Sequence, residues 1–241
     1  MKNLIFILAL LLFFASCKQD EYYVDGGTSK AEFNGDMLQY LESKPVLFDS
    51  VAQIIKLAGL EQTFKNESFT FFAPSDEFIK VAIGTYINQK GDTVYNGGVN
   101  SQLRAINREP IKKLSDVDPL IWKKFIQRYM FKGTKRMIDY PQIDFDQRLI
   151  FPGQKYVARD GSVFNIGVTY ADANGIKYIG YRQLNISFIP DLTDPEDNWV
   201  TCAVSSADIK PNNGIVHALQ AVRREFGYNG DFIRDVIDSR N

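Results

Sequence analysis

The spacing of apolar residues changes character at Gly133, and that change restricts the fold more than any other feature of the chain. Upstream, apolar residues recur at helical spacing: Met37, Leu38 and Leu41 after Asp36, then Leu47, Val51, Ile54, Ile55 and Ala58, then Ile121, Phe125 and Tyr129. Gly59 is placed to end the second helix; Asp118-Pro119 opens the third as cap and first helical residue, and Gly133 is placed to stop it. Downstream the chain is strand-like, with Asp160-Gly161 and Asn174-Gly175 as hairpin turns and Leu184 to Ile189, Val200 to Val204 and Gly214 to Val222 as further strands. Helices early, strands late and no strand–helix–strand alternation predict a single α+β domain: a mainly antiparallel β-sheet or wedge with helices packed on it. Residues 84–100, rich in Gly and Asn, read as a surface excursion with a small hairpin around Gly91-Asp92. Phe232-Ile233 and Val236-Ile237 mark a short amphipathic tail, expected to be helical.

The N-terminus carries a separate signal. Lys2 precedes an unbroken apolar run from Leu4 to Ala15, too short to span a bilayer, which needs about 20 residues, but suited to a secretory leader. The run ends in Phe14-Ala15-Ser16-Cys17, which resembles a bacterial lipobox although Phe14 replaces the usual Leu. The expectation is a signal peptide over residues 1–16, a lipidated Cys17 and a flexible tether over 17–33. The globular domain then occupies 34–225 and the tail 226–241. Two or three acyl chains, at roughly 0.8 kcal/mol per buried CH2, hold a membrane far better than one myristoyl chain. Lys18-Gln19-Asp20-Glu21 resembles the charged signals that send some Gram-negative lipoproteins to the outer face of the outer membrane, or is simply a solvated spacer. Localisation in the outer membrane, with the domain exposed at the cell surface, follows as an expectation.

Composition removes several function classes. The net charge is -1 with no basic stripe, so nucleic acid is not an expected partner. With Cys17 lipidated, only Cys202 remains, in an apolar run that suggests an inert buried thiol. His217 is the only histidine and lies between Val216 and Ala218, a structural setting rather than that of a general base. One His and one Cys cannot supply a zinc site, and no Gly-rich phosphate loop is present, so neither metal nor cofactor is expected. Asp191, Asp194, Glu196 and Asp197 lack the spacing of a known calcium loop and read as a solvated turn. Asp144 and Asp146, two apart, would share a face if they lay on a strand and are the one candidate pair for carboxylate chemistry. Tyr22, Tyr23, Tyr95 and Trp199 lie in polar surroundings and could stack on sugar rings, or be core or stalk residues.

Two segments carry a family resemblance. Phe69-Thr70-Phe71-Phe72-Ala73-Pro74-Ser75-Asp76-Glu77-Phe78 reads as a strand stopped by Pro74, which lacks a ladder N–H, and a helix capped by Ser75. Asp208 to Gln220 contains Asn213-Gly214, read as positive-φ turn residues, before an apolar strand with His217. Together, in this order and about a domain length apart, they resemble the paired signature boxes of the fasciclin family over roughly residues 45–222. Phe71, Ala73, Pro74, Ser75, Asn213, Gly214 and His217 are the structural box positions. Phe78 stands where the family more often has a small residue, and Tyr129-Met130 replaces the family's Tyr-His pair. The stretch from Ile83 to Leu114 is longer than usual.

The resemblance implies a non-catalytic adhesion or protein-interaction domain at the cell surface, its partner an envelope or surface protein or a glycan. The alternatives are an accessory glycan-binding lipoprotein of an outer-membrane uptake system and, ranked below it, a hydrolase using Asp144 and Asp146.

Overall fold

The computed structural model describes residues 31–95, 97–221, 226–228 and 230–240. Cys17, the leader, Tyr22 and Tyr23 lie outside them. Helix α1 (Met37–Glu42) begins at Asp36, whose carboxylate accepts the Gln39 N–H at 2.8 Å while the Gln39 side chain accepts the Asp36 N–H at 2.9 Å. Helix α2 (Pro45–Leu57) is broken at Phe48 (φ −135°, ψ 15°). The break turns the expected stripe by one residue: Phe48 is buried and Leu47 is 50% exposed. It also frees the N–H groups of Ser50 and Val51, which the Asp76 carboxylate accepts at 2.9 and 3.4 Å. A side chain from another helix thus caps the second half of α2. Gly59 follows at φ +67°, then a short helix α3 (Glu61–Asn66).

Strand β1 (Phe69–Ala73) leads into helix α4 (Asp76–Ile83), which Gly84 closes in the left-handed conformation. The next stretch forms the hairpin β2 (Thr85–Ile87) and β3 (Thr93–Tyr95) and then helix α5 (Gly98–Ala105). It is not wholly a surface excursion, because Val99 and Leu103 are buried in the core. Buried Asn100 fixes the return of the chain by accepting the Ile111 N–H at 2.6 Å and donating to its carbonyl at 3.1 Å. Helix α6 (Pro119–Gln127) is capped by Asp118, which accepts the Leu120 N–H at 2.8 Å. It ends well before Gly133: strand β4 (Met130–Lys132) intervenes, and Gly133 makes the turn after the strand.

The remaining strands are β5 (Gln154–Val157), β6 (Val163–Tyr170), β7 (Arg182–Phe188), β8 (Val200–Ile209) and β9 (Gly214–Leu219). Helix α7 (Asp231–Asp238) closes the chain. Seven strands form one sheet in the order β4-β1-β9-β8-β7-β6-β5. Every pairing is antiparallel except β1 with β9, where Phe71 lies opposite Val216 and Phe72 opposite His217. The fold is α+β with a mainly antiparallel sheet, as the change of spacing predicts. The sheet curls until its two edges touch: Phe131 bridges Ala158, and the Arg159 N–H reaches the Met130 carbonyl at 2.9 Å. Asp160-Gly161 turns β5 into β6 as expected. Asn174-Gly175 makes a turn too (φ 52° and 77°), but it closes only one Ala173–Ile176 bridge. The strand expected there starts instead at Arg182, and Ile176 and Ile179 are exposed.

Aromatic residues fill the space between sheet and helices. Phe232 of α7 stacks on Trp122 of α6 with centroids 5.1 Å apart, and Tyr129 stacks on Phe226 at 5.6 Å. Such pairs contribute about 0.5–1.5 kcal/mol each beyond area burial.

Candidate functional site

The two boxes lie side by side as the parallel pair β1–β9, one strand in from the β4 edge, and their polar groups are spent on the scaffold. His217 is fully buried against the Phe72 ring, 4.9 Å between centroids. Its Nδ1 accepts the Asp208 N–H at 3.2 Å, so the proton sits on Nε2, which donates to the Lys135 carbonyl at 3.0 Å. Both nitrogens are engaged, and burial pushes the imidazole down to about 4. Beside it the Thr70 hydroxyl donates to the Gly133 carbonyl at 2.7 Å and accepts the Lys135 N–H at 2.9 Å. These bonds fasten the 133–140 loop over β1 and β9.

Phe71 and Ala73 are fully buried in β1. Pro74 ends that strand, and Ser75 occupies the N-cap of α4, but its hydroxyl does not cap. The buried Oγ makes no hydrogen bond among the described residues. The neighbouring Asp76 carries the chemistry instead, and desolvation raises its pKa despite the two N–H groups it accepts. Asn213 and Gly214 also depart from expectation, for neither has positive φ among the described residues. Asn213 is a three-way tie: its amide donates to the carbonyls of Phe64 (2.8 Å) and Glu67 (3.0 Å), and its oxygen accepts the Met37 N–H (2.8 Å). Gly214 is small because a Cβ there would lie 2.4 Å from the Phe69 carbonyl oxygen and 2.6 Å from Met37 Cε. Cys202 is 4% exposed, its thiol directed at the carbonyls of Gln220 (3.4 Å) and Ala203 (3.5 Å).

A second buried polar device has only a turn signal in the sequence. Arg128, at the end of α6, donates to Asp160 at 2.8 Å and to the Gly227 carbonyl at 2.7 Å. Its guanidinium lies over the rings of Phe125 and Phe188, at 4.7 and 5.3 Å. It joins helix, hairpin turn and C-terminal segment.

The acidic loop holds no arrangement for a cation. Asp191 accepts the N–H and hydroxyl of Thr193, and Glu196 pairs with Lys155 at 2.9 Å. No group of three His, Cys, Asp or Glu side chains among the described residues is disposed to hold a metal. Trp199 is half-buried, donating to the Pro195 carbonyl at 2.9 Å beneath Arg148. Tyr95 is half-buried in β3.

Asp144 and Asp146 are not a strand pair, because residues 145–146 form a turn in which Asp144 accepts the Asp146 N–H at 2.9 Å. The real partner of Asp144 is Tyr178, whose hydroxyl donates to it at 2.8 Å and accepts from the Gln147 amide at 2.8 Å. The Tyr178 hydroxyl and the Asp146 N–H hold the Asp144 carboxyl below its ordinary range. Asp146 gives Asp144 a backbone N–H and not a facing carboxyl, so the two do not flank a common point as a carboxylate pair would. Tyr178 itself sits at φ +65°, a sparsely populated conformation for a bulky residue, and the Asp172 carboxylate holds its N–H at 3.0 Å. Together these residues wall an open cleft of about 290 Å³, completed by Phe145, Thr169, Tyr170 and Lys177. The sequence marks Asp144 but has no local signal for Tyr178. A separate groove of about 320 Å³ follows the seam where the sheet edges meet, with the Arg159–Glu67 pair (2.6 Å) among its lining residues.

No protein-family model and no curated protein matches the chain. Among solved structures it is similar to a FAS1 domain pair from the insect cell adhesion molecule fasciclin I. Identity is 17% and the TM-score 0.44, over 77% of this chain and 49% of that one. The chain therefore spans about half the length of that domain pair.

Proposed function

We propose that the chain is a non-catalytic, fasciclin-like lipoprotein of the outer membrane. It is anchored through acylated Cys17, faces outward, and mediates adhesion or assembly by binding an envelope or surface partner. The observation that carries this reading is a division of polar groups. Those of the central strands are closed into the scaffold, whereas the cleft at Tyr178 opens to solvent. The loops that form it expose Leu149, Ile150, Ile176, Ile179 and Tyr181 at 57% or more. Apolar side chains gathered on the loops of a rigid sheet are the usual make-up of a contact surface.

Intact-mass measurement of the purified mature chain tests the anchor, with a diacylglyceryl thioether expected on Cys17; an unmodified thiol removes it. A photo-crosslinking residue at Ile179, set against one at Leu120 on α6, tests the surface on whole cells. A discrete adduct from position 179 alone is expected. Equal labelling from both positions refutes the assignment.

A further inference from the structure

The cleft at Tyr178 has the chemistry of a carbohydrate site. We infer that it binds a neutral sugar unit of a surface or environmental polysaccharide, which rests on the reading above and names the ligand class.

Three observations converge. The first is the wall. Phe145, 38% exposed, lines the cleft with Tyr170 and Tyr178, and a pyranose ring offers its C–H face to such rings. The second is the set of planar polar groups. Asp144, Gln147 and the Tyr178 hydroxyl are already bonded to one another, which fixes their directions before a ligand arrives. Each retains acceptor or donor capacity for a sugar hydroxyl. Pre-oriented groups spare a ligand the entropy of ordering them. The third is the backbone. A tyrosine held at φ +65°, by the Asp172 carboxylate on its N–H and by Asp144 on its hydroxyl, is strain over-determined from both ends. Strain of that kind clusters at ligand clamps.

The same residues discriminate among ligand classes. Asp144, Asp146 and Asp172 against one Lys177 repel an anion. A wholly apolar ligand would desolvate the Asp144 carboxylate and Gln147 amide and leave their remaining hydrogen-bonding capacity unmet. The three carboxylates would also attract a cation, and the test below separates that outcome from a neutral ligand. A neutral polyhydroxyl ligand meets every group with its complement. The volume, about 290 Å³, is at the small end of ligand sites, in keeping with one or two sugar units of a longer chain.

Affinity electrophoresis of the full mature chain tests the inference, in gels cast with starch, xylan, mixed-linkage β-glucan or α-mannan, and with polygalacturonate as the anionic control. At least one neutral polysaccharide should retard migration and polygalacturonate should not. Tyr178→Phe, which removes only the hydroxyl, and Phe145→Ala, at an exposed position, should each weaken binding at least fivefold. Leu120→Ala should leave it unchanged. Retardation by none of the neutral polymers overturns the inference, as does retardation that survives both cleft substitutions. So does stronger binding of a lysine-rich peptide, which would assign the cleft to a cationic partner. None of these outcomes touches the crosslink expected from position 179, so the two readings fail separately.

Discussion

Asp160 is the residue whose removal should cost the fold most for the fewest atoms. The Arg128 and Asp160 side chains are 5% and 4% exposed and meet at 2.8 Å. Removing one partner of a buried ion pair leaves the other desolvated and costs about 3–5 kcal/mol. Two features of this site pull the value for Asp160→Ala toward the lower figure: Arg128 keeps the Gly227 carbonyl, and Asp231 lies 3.8 Å away at 24% exposure. Asp160 also accepts the N–H and hydroxyl of Ser162 at 3.0 and 2.8 Å, so part of the loss belongs to the turn. Asp160→Asn retains a turn acceptor and isolates the charge; it should cost about 2–3 kcal/mol, and Asp160→Ala about 3–4. For a domain of this size each kcal/mol lowers the melting temperature by about 2–4 °C, so Asp160→Ala should melt roughly 6–16 °C early. Urea unfolding followed by tryptophan fluorescence reads the change, because Trp122 is fully buried in the core. Adding Arg128→Met to Asp160→Ala should recover at least half the loss, since the stranded charge is then gone. A cost below about 1 kcal/mol for Asp160→Asn, or no recovery in the double variant, would refute the reasoning.

Three further perturbations probe the central strands. His217, depressed to about 4 when folded against about 6.5 when unfolded, takes up a proton on unfolding between those values. Stability should therefore be full above about pH 6.5, fall by on the order of 3 kcal/mol as pH drops toward 4, and flatten below; a proton NMR titration placing His217 above 6 contradicts this. Gly214→Ala should cost about 1–3 kcal/mol by overpacking against the Phe69 carbonyl and Met37. At Gly175 a Cβ meets nothing, and alanine should cost only the left-handed backbone penalty of about 1 kcal/mol; thermal melts in the reverse order would be inconsistent with the packing. Asn213→Ala should lose about 1–3 kcal/mol, and Asn213→Asp at least as much, because its second carboxylate oxygen would face the Phe64 and Glu67 carbonyls; equal melting of all three would show the tie to be idle.

What could be read from the sequence follows the range of each interaction. Asp36, Asp118-Pro119, the Gly91 hairpin and Asp160-Gly161 are settled within four residues of chain, and the structure has them where the spacing puts them. The exchange of Leu47 for Phe48 was not legible, because the break in α2 leaves N–H groups that a carboxylate 26 residues away satisfies. For the same reason the sequence points to Ser75 as the cap, whereas the long-range acceptor is its neighbour Asp76. Asn213-Gly214 has the composition of a turn, yet its amide reaches 149 residues back to Phe64. Asp144 and Asp146 are neighbours in sequence, whereas the group that orients Asp144 is 34 residues on.

The parallel pairing of β1 with β9 limits where a partner can gain access. Every residue of both strands is buried, so the sheet is covered on both faces there, which also explains why Phe69-Thr70-Phe71-Phe72-Ala73 and Gly214 to Leu219 run apolar without alternation. The starts of the two strands are tied down by Asn213, and the His217 and Thr70 bonds hold a loop across them. A ligand could reach this half of the sheet only by undoing buried hydrogen bonds, at about 1–3 kcal/mol for each group left unsatisfied. At the other edge, three of the four residues of β5 are exposed, and the loops beside β5 and β6 expose aliphatic side chains around an open cleft whose polar groups are already bonded to one another. Binding at the β5–β6 edge, as proposed, requires no rearrangement of the core, so substitutions within the boxes should change stability while leaving ligand affinity per folded molecule unchanged.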